Sequence, residues 1–205
     1  MRRNRFILTV ASYISVIFTP FYLPLMGLLA LFLFTYLSML HWGYKVHLLL
    51  LVWLFTCLLP TTLIRLYRHY QGWPLLKLMQ REARYVPYVI SIVCYFVCLY
   101  VMQLQHVAHI ITSVVVAALI TQIICAIINH WWKISTHTAA VGATTGAVVA
   151  FSLIFGFYPL WWLCFLILLA GVLGTSRMLL RIHSLSEIVG GYLIGVAAGF
   201  VGIVL

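Results

Sequence analysis

Acidic residues are almost absent from this chain. Glu82 and Glu187 are its only two carboxylate side chains in 205 residues, and it has no aspartate. A magnesium- or calcium-type site built from several carboxylates is therefore poorly supplied, and the expected chemistry is metal-independent, with no cofactor. Charge of either sign is scarce, 7% of residues against 65% hydrophobic. That leaves too few polar residues to cover a water-soluble globule. No CxxC pair occurs, and Cys57, Cys94, Cys98, Cys125 and Cys164 all fall within apolar runs, where a thiol packs as a small apolar group. Low-complexity linkers and internal repeats are missing too, so residues 1–205 are expected to form one domain.

What the sequence has in abundance is long apolar runs. A hydrocarbon core of about 30 Å needs roughly 20 residues per crossing. Candidate spans lie near 20–40, 45–66, 86–103, 107–129, 135–156, 158–175 and 187–205. The expected fold is all-α, a polytopic transmembrane helical bundle of about six or seven membrane helices. Phe6 to Thr19 is apolar but short, with Pro20 and Pro24 close behind, and reads as an interfacial or half-inserted N-terminal helix. A signal peptide is the competing reading of the basic start. No small-residue cleavage site interrupts the apolar run to Leu40, which favours retention.

The formal net charge is +10, and the charges flank the spans. Their expected partners are anionic headgroups or phosphate, not nucleic acid. Polar breaks occur at 41–47, 67–85, 103–106, 129–138, 156–159 and 176–187. Two spans separate 67–85 from 129–138, and two more separate that from 176–187, so all three can meet on one membrane face.

Each of the three carries a patterned group. In LLKLMQREARYVP, Lys77 and Arg84 are seven residues apart and share a helix face, with Arg81 nearby. Taken alone, a basic amphipathic helix on anionic lipid is the favoured reading. The alternative is two cations on one phosphate, Arg84 as a planar fork and Lys77 as a point charge. In WKISTHTAAVG, Ser135 and His137 stand where an apolar span begins. Ser135 can cap that helix, or the helix start can cradle an anion while His137 donates a proton. In SRMLLRIHSLSEIVGG, Ser184 and Glu187 read as a capping box. His183 and Glu187 are also four apart, so the carboxylate can instead orient the imidazole for attack. Gly142 and Gly146, then Gly191, Gly195 and Gly199, are spaced at four and predict close packing of the two histidine-bearing helices. His41, His47, His69, His106, His109 and His130 form no metal-ligand pattern.

Together the three groups resemble the signature of the type 2 phosphatidic acid phosphatase superfamily, which shares its site with vanadium-dependent haloperoxidases. That pattern is Lys, six residues, Arg-Pro; then Pro-Ser-Gly-His; then Ser-Arg, five residues, His, three residues, Asp. The matches are Lys77 with Arg84, Ser135 with His137, and Ser176-Arg177 with His183 and Glu187. Ile134 replaces the motif proline, Thr136 the glycine and Glu187 the aspartate, and the proline after Arg84 is delayed to Pro87. Two apolar spans also separate the first two motifs, where the family often has an extramembrane loop. The resemblance implies His183 as nucleophile through a phosphohistidine, Glu187 holding it, and His137 protonating the leaving group. It implies Lys77, Arg84, Arg177, Ser135 and the N–H of Thr136 as phosphate binders. It further implies a phosphorylated lipid as substrate (isoprenyl pyrophosphate, phosphatidic acid, phosphatidylglycerophosphate or lipid A class) and the bacterial cytoplasmic (inner) membrane as setting.

The side of the membrane stays open at this point. Arg2, Arg3, Arg5, Arg65, Arg68, Arg81 and Arg181 fall on the site-bearing side and Lys45 opposite, which favours a cytoplasmic site. The family it resembles more often places its site on the periplasmic, outer or lumenal face, and an extra crossing in the first 40 residues would reconcile the two. A lipid phosphotransferase, a silent phospholipid-binding scaffold and, more remotely, a transporter are the rival readings; few ionisable groups lie central in the spans.

Overall fold

The structure, a computed structural model, describes residues 2–72 and 85–205, and every regular element among them is helical. In chain order these are α1 (Arg2–Ile17), α2 (Leu23–Phe34), a short 3-10 turn, α3 (Trp42–Trp53), α4 (Leu59–Tyr70), α5 (Tyr85–Leu104), α6 (His109–Ile128), α7 (Thr136–Phe155), α8 (Leu160–Leu179) and α9 (Leu185–Val204). Among the described residues, the Trp42–Tyr70 rod and each of α5 to α9 are long and apolar enough to cross a bilayer, six helices. At 1.5 Å per residue, a 20-residue helix is about 30 Å long, matching the hydrocarbon core. The chain is an integral membrane protein with an all-α polytopic bundle.

The span expected near 20–40 is not one continuous helix. Residues 18–22, containing Pro20, break the chain between α1 and α2. Proline has no N–H to donate and disfavours helical geometry in the residue before it, so the helix stops there and restarts with Pro24 in its first turn. The two pieces still run end to end through the bundle. Ile14 and Phe18 pack near Val141, Leu166 and Leu173, whereas Leu28, Leu31 and Phe32 join the core around Leu48, Met102, Ile111 and Phe151. Tyr36 then meets Phe155, at the far end of α7, edge to face at 5.5 Å. Together α1 and α2 make a single broken pass. The carbonyl of Phe21, exposed by the break, accepts from the Cys57 thiol at 3.0 Å, which answers the demand that backbone in an apolar medium be satisfied internally.

Between α3 and α4 lies one π turn, Leu54–Leu58, just before Pro60. The wider turn accommodates a ring that would otherwise clash with the preceding carbonyls. Hydroxyls take up the disturbed carbonyls: Thr61 Oγ1 donates to Cys57 O at 2.6 Å and Thr62 Oγ1 to Leu58 O at 2.9 Å.

The closest helix pair is α7 with α9. They run parallel, because Ala139 faces Gly195 and Ala143 faces Gly199 four residues further on, while Gly142 and Gly146 face Tyr192 and Val196. A Cβ added at any of these four glycines would fall inside van der Waals contact of the partner's carbonyl oxygen. Lipid tails are as apolar as side chains, so close dispersion contact, not hydrophobic burial, drives this pairing. The parallel sense sets the two helix N-termini side by side at one end of the bundle.

Candidate active site

That end carries the second and third sequence groups. Ser135 is the N-cap of α7, fully buried, and its Oγ accepts from Thr138 N at 3.5 Å. Ser184 caps α9 in the same way, accepting from Glu187 N at 3.5 Å. The two caps are stitched together: Ser135 N donates to Glu187 O at 3.3 Å. Gly191 lies beneath this junction, where a Cβ would meet Ser135 O and Thr138 Oγ1.

The geometry separates the two readings of Glu187. The serine half of the capping box forms, but the Glu187 carboxylate turns to His183 instead, with Oε2 at 2.5 Å from Nδ1. The helix begins at Leu185, so His183 lies just ahead of the cap and still reaches the first turn. Its side chain is 1% exposed against 16% for Glu187. With Nδ1 held by the carboxylate, the proton on that side is fixed and Nε2 is the ring nitrogen with nucleophilic character.

What aims His183 is the stop of α8. Ile182 N–H donates to Arg177 O at 3.1 Å and Arg181 N–H to Met178 O at 2.8 Å, paired bonds that close a helix through a left-handed residue. That residue is Arg181 at φ 54°, where glycine is usual. Arg177 occupies the last turn of α8, where a cation complements the carbonyl end of the helix dipole. Ser176 is buried and its Oγ donates to Val172 O at 2.8 Å.

Thr136 is the first residue of α7 and His137 the second, both partly buried. Amides at such a position have no intrahelical acceptor and point outward, as an anion would require. Ile134, in place of the motif proline, is fully buried in a cluster with Tyr88, Cys125 and Ala139. Lys77 and Arg84 lie outside the described residues. Their neighbour Tyr85 does not: its hydroxyl is 2.9 Å from His130 Nδ1, tying the start of α5 to the loop that leads into Ser135.

Sequence reasoning missed three contributors. Lys133 Nζ donates to Ile182 O at 2.5 Å, holding the carbonyl immediately before His183. Trp132 lies over Gly190, whose Cβ would collide with the indole. The Tyr85–His130 link is the third. A lone lysine and a tryptophan in the break before Ser135 were the available signals, but nothing in the sequence said what they would touch.

The site-bearing end is also the end at which α1 begins with Arg2, Arg3 and Arg5, since α1 and α2 cross once. Lys45 is at the other end, donating to Ser38 O. Comparisons with protein-family models, with curated proteins and with solved structures return no match.

Proposed function

We propose that this chain is an integral-membrane phosphatase that hydrolyses a phosphate monoester or pyrophosphate on a lipid, through the three-part site of the type 2 phosphatidic acid phosphatase superfamily. The observation that carries the reading is the His183 Nδ1 to Glu187 Oε2 contact of 2.5 Å, made at the shared N-terminal end of α7 and α9. A capping role alone needs only the Ser184 hydroxyl and gives no reason for the carboxylate to orient a buried imidazole. Nε2 of His183 would form a bond to phosphorus as the bond from phosphorus to the leaving oxygen breaks, with His137 supplying the proton to that oxygen. Water then attacks the phosphohistidine, His137 accepts the water's proton, and inorganic phosphate leaves with the imidazole restored.

Lys77, Arg84 and Arg177 would offset charge on the phosphoryl oxygens in the transition state, and the N–H of Thr136 at the α7 start would donate to one of them. Ser135 supports the same spot as the cap that fixes where those amides point. The lipid tail stays in the bilayer while its headgroup reaches this end, which suits a phosphorylated lipid of the bacterial inner membrane. The test is phosphate release by the purified protein, in EDTA, from phosphatidic acid, phosphatidylglycerophosphate, isoprenyl pyrophosphate and lipid A. Release that disappears in His183→Ala supports the reading. Release that survives the substitution removes the nucleophile, and silence of folded protein across the panel removes the hydrolase.

A further inference from the structure

We propose that the groove between α1 and α8 seats one hydrocarbon tail of the lipid phosphate, an inference that rests on the function proposed above and names how its substrate is held. The groove is an open one of about 530 Å³, with Ala11 and Ile14 on one side and Ile167, Gly171, Thr175 and Leu179 on the other. That volume is within the range of ligand sites, roughly 300–1,000 Å³. Its walls are mostly hydrocarbon. The two hydroxyls in it are turned back onto their own helix, Thr175 Oγ1 to Gly171 O and Ser176 Oγ to Val172 O, both at 2.8 Å. Gly171 leaves the floor open, with nothing within 4 Å of the place a Cβ would take.

Length and position select the occupant. Its α8 wall runs from Ile167 to Leu179, about 18 Å at 1.5 Å per residue, and α1 covers about 6 Å of that length from Val10 to Ile14. One leaflet is half of a core of about 30 Å, or about 15 Å, so the groove fits a single tail of a lipid in that leaflet. It ends at Ser176 and Leu179, around Arg177 and four residues short of His183, and on the other wall α1 begins with Arg2, Arg3 and Arg5. A tail lying here brings its headgroup to the end of the bundle where these basic residues and the α8 stop lie. A zwitterionic headgroup brings no net charge to that end, whereas a phosphate monoester brings net negative charge.

The experiment is photo-crosslinking of the full chain in nanodiscs, using phosphatidic acid with a diazirine in one tail and phosphatidylcholine with the same tail, followed by mapping of labelled peptides. Phosphatidic acid should label α1 and α8 at least fivefold over phosphatidylcholine, and Gly171→Leu, which fills the floor, should cut that labelling severalfold. Equal labelling by the two lipids makes the groove a place for bulk membrane lipid and overturns the proposal, with no variant needed. The two hypotheses fail separately. Phosphate release dependent on His183 together with unselective labelling leaves the phosphatase and removes the groove; selective labelling without turnover leaves the groove and removes the phosphatase.

Discussion

Replacing Glu187 isolates the contact on which the proposed chemistry depends, because the backbone at that residue performs a separate structural job. Its N–H donates to Ser184 Oγ at 3.5 Å and its carbonyl accepts from Ser135 N at 3.3 Å, and both survive any change of side chain. Only the 2.5 Å contact to His183 Nδ1 is lost. A hydrogen bond to a charged group is worth about 1.5–3 kcal/mol and a neutral one about 0.5–1.5 kcal/mol. Glu187→Gln keeps a neutral acceptor and forfeits about 1–1.5 kcal/mol of imidazolium stabilisation. At 1.36 kcal/mol per decade, this slows phosphate release roughly 5- to 13-fold. Glu187→Ala forfeits the whole bond, for roughly 13- to 160-fold. The assay is initial-rate phosphate release in mixed micelles, normalised to folded protein by size exclusion and thermal melting. The reasoning is refuted if Glu187→Ala turns over at the wild-type rate, or if its loss of rate matches its loss of folded protein.

Two further outcomes concern stability. Gly195→Ala places a methyl against the Ala139 carbonyl and should destabilise the bundle by about 1–3 kcal/mol, whereas Gly171→Ala meets open space and gains up to about 1 kcal/mol of helix propensity; melting temperatures that move in the same direction would contradict the packing. Arg181→Gly relieves a left-handed conformation at φ 54° and should stabilise by about 1 kcal/mol, and a fall in melting temperature would show that the arginine side chain holds the turn.

Much of the fold was legible because a bilayer imposes a coarse requirement, roughly 20 apolar residues per crossing, that composition and run length answer directly. The counting argument that put the charged breaks on one face has its counterpart in contacts: Ser135 with Glu187, Lys133 with Ile182, Tyr85 with His130. The first crossing escaped it. Residues 20–40 are apolar enough for a span, but Pro20 halts α1, and the paired halves run through the bundle as a broken pass that hydropathy cannot distinguish from an interfacial helix followed by a full one. Among the described residues, α1 and α2 make one broken pass and no extra crossing that would set the basic N-terminus opposite the site.

By itself the sequence determined that the chain lives in a membrane, that scarce charge gathers in three breaks, and that glycines spaced at four would bring two helices close. Those are properties of composition and period, and they need no neighbours to be defined. Which group Glu187 serves was a tertiary matter. Ser-x-x-Glu is compatible with a capping box and His-x-x-x-Glu with an orienting pair, and the outcome turns on where α9 starts and how the Arg181 turn delivers His183 to it. The anchors of that turn, Lys133 from one loop and Ser135 from the α7 cap, come from 49 and 52 residues away along the chain from Ile182 and Glu187. Contacts at such separations are set by the parallel packing of α7 on α9, whose register no local pattern encodes.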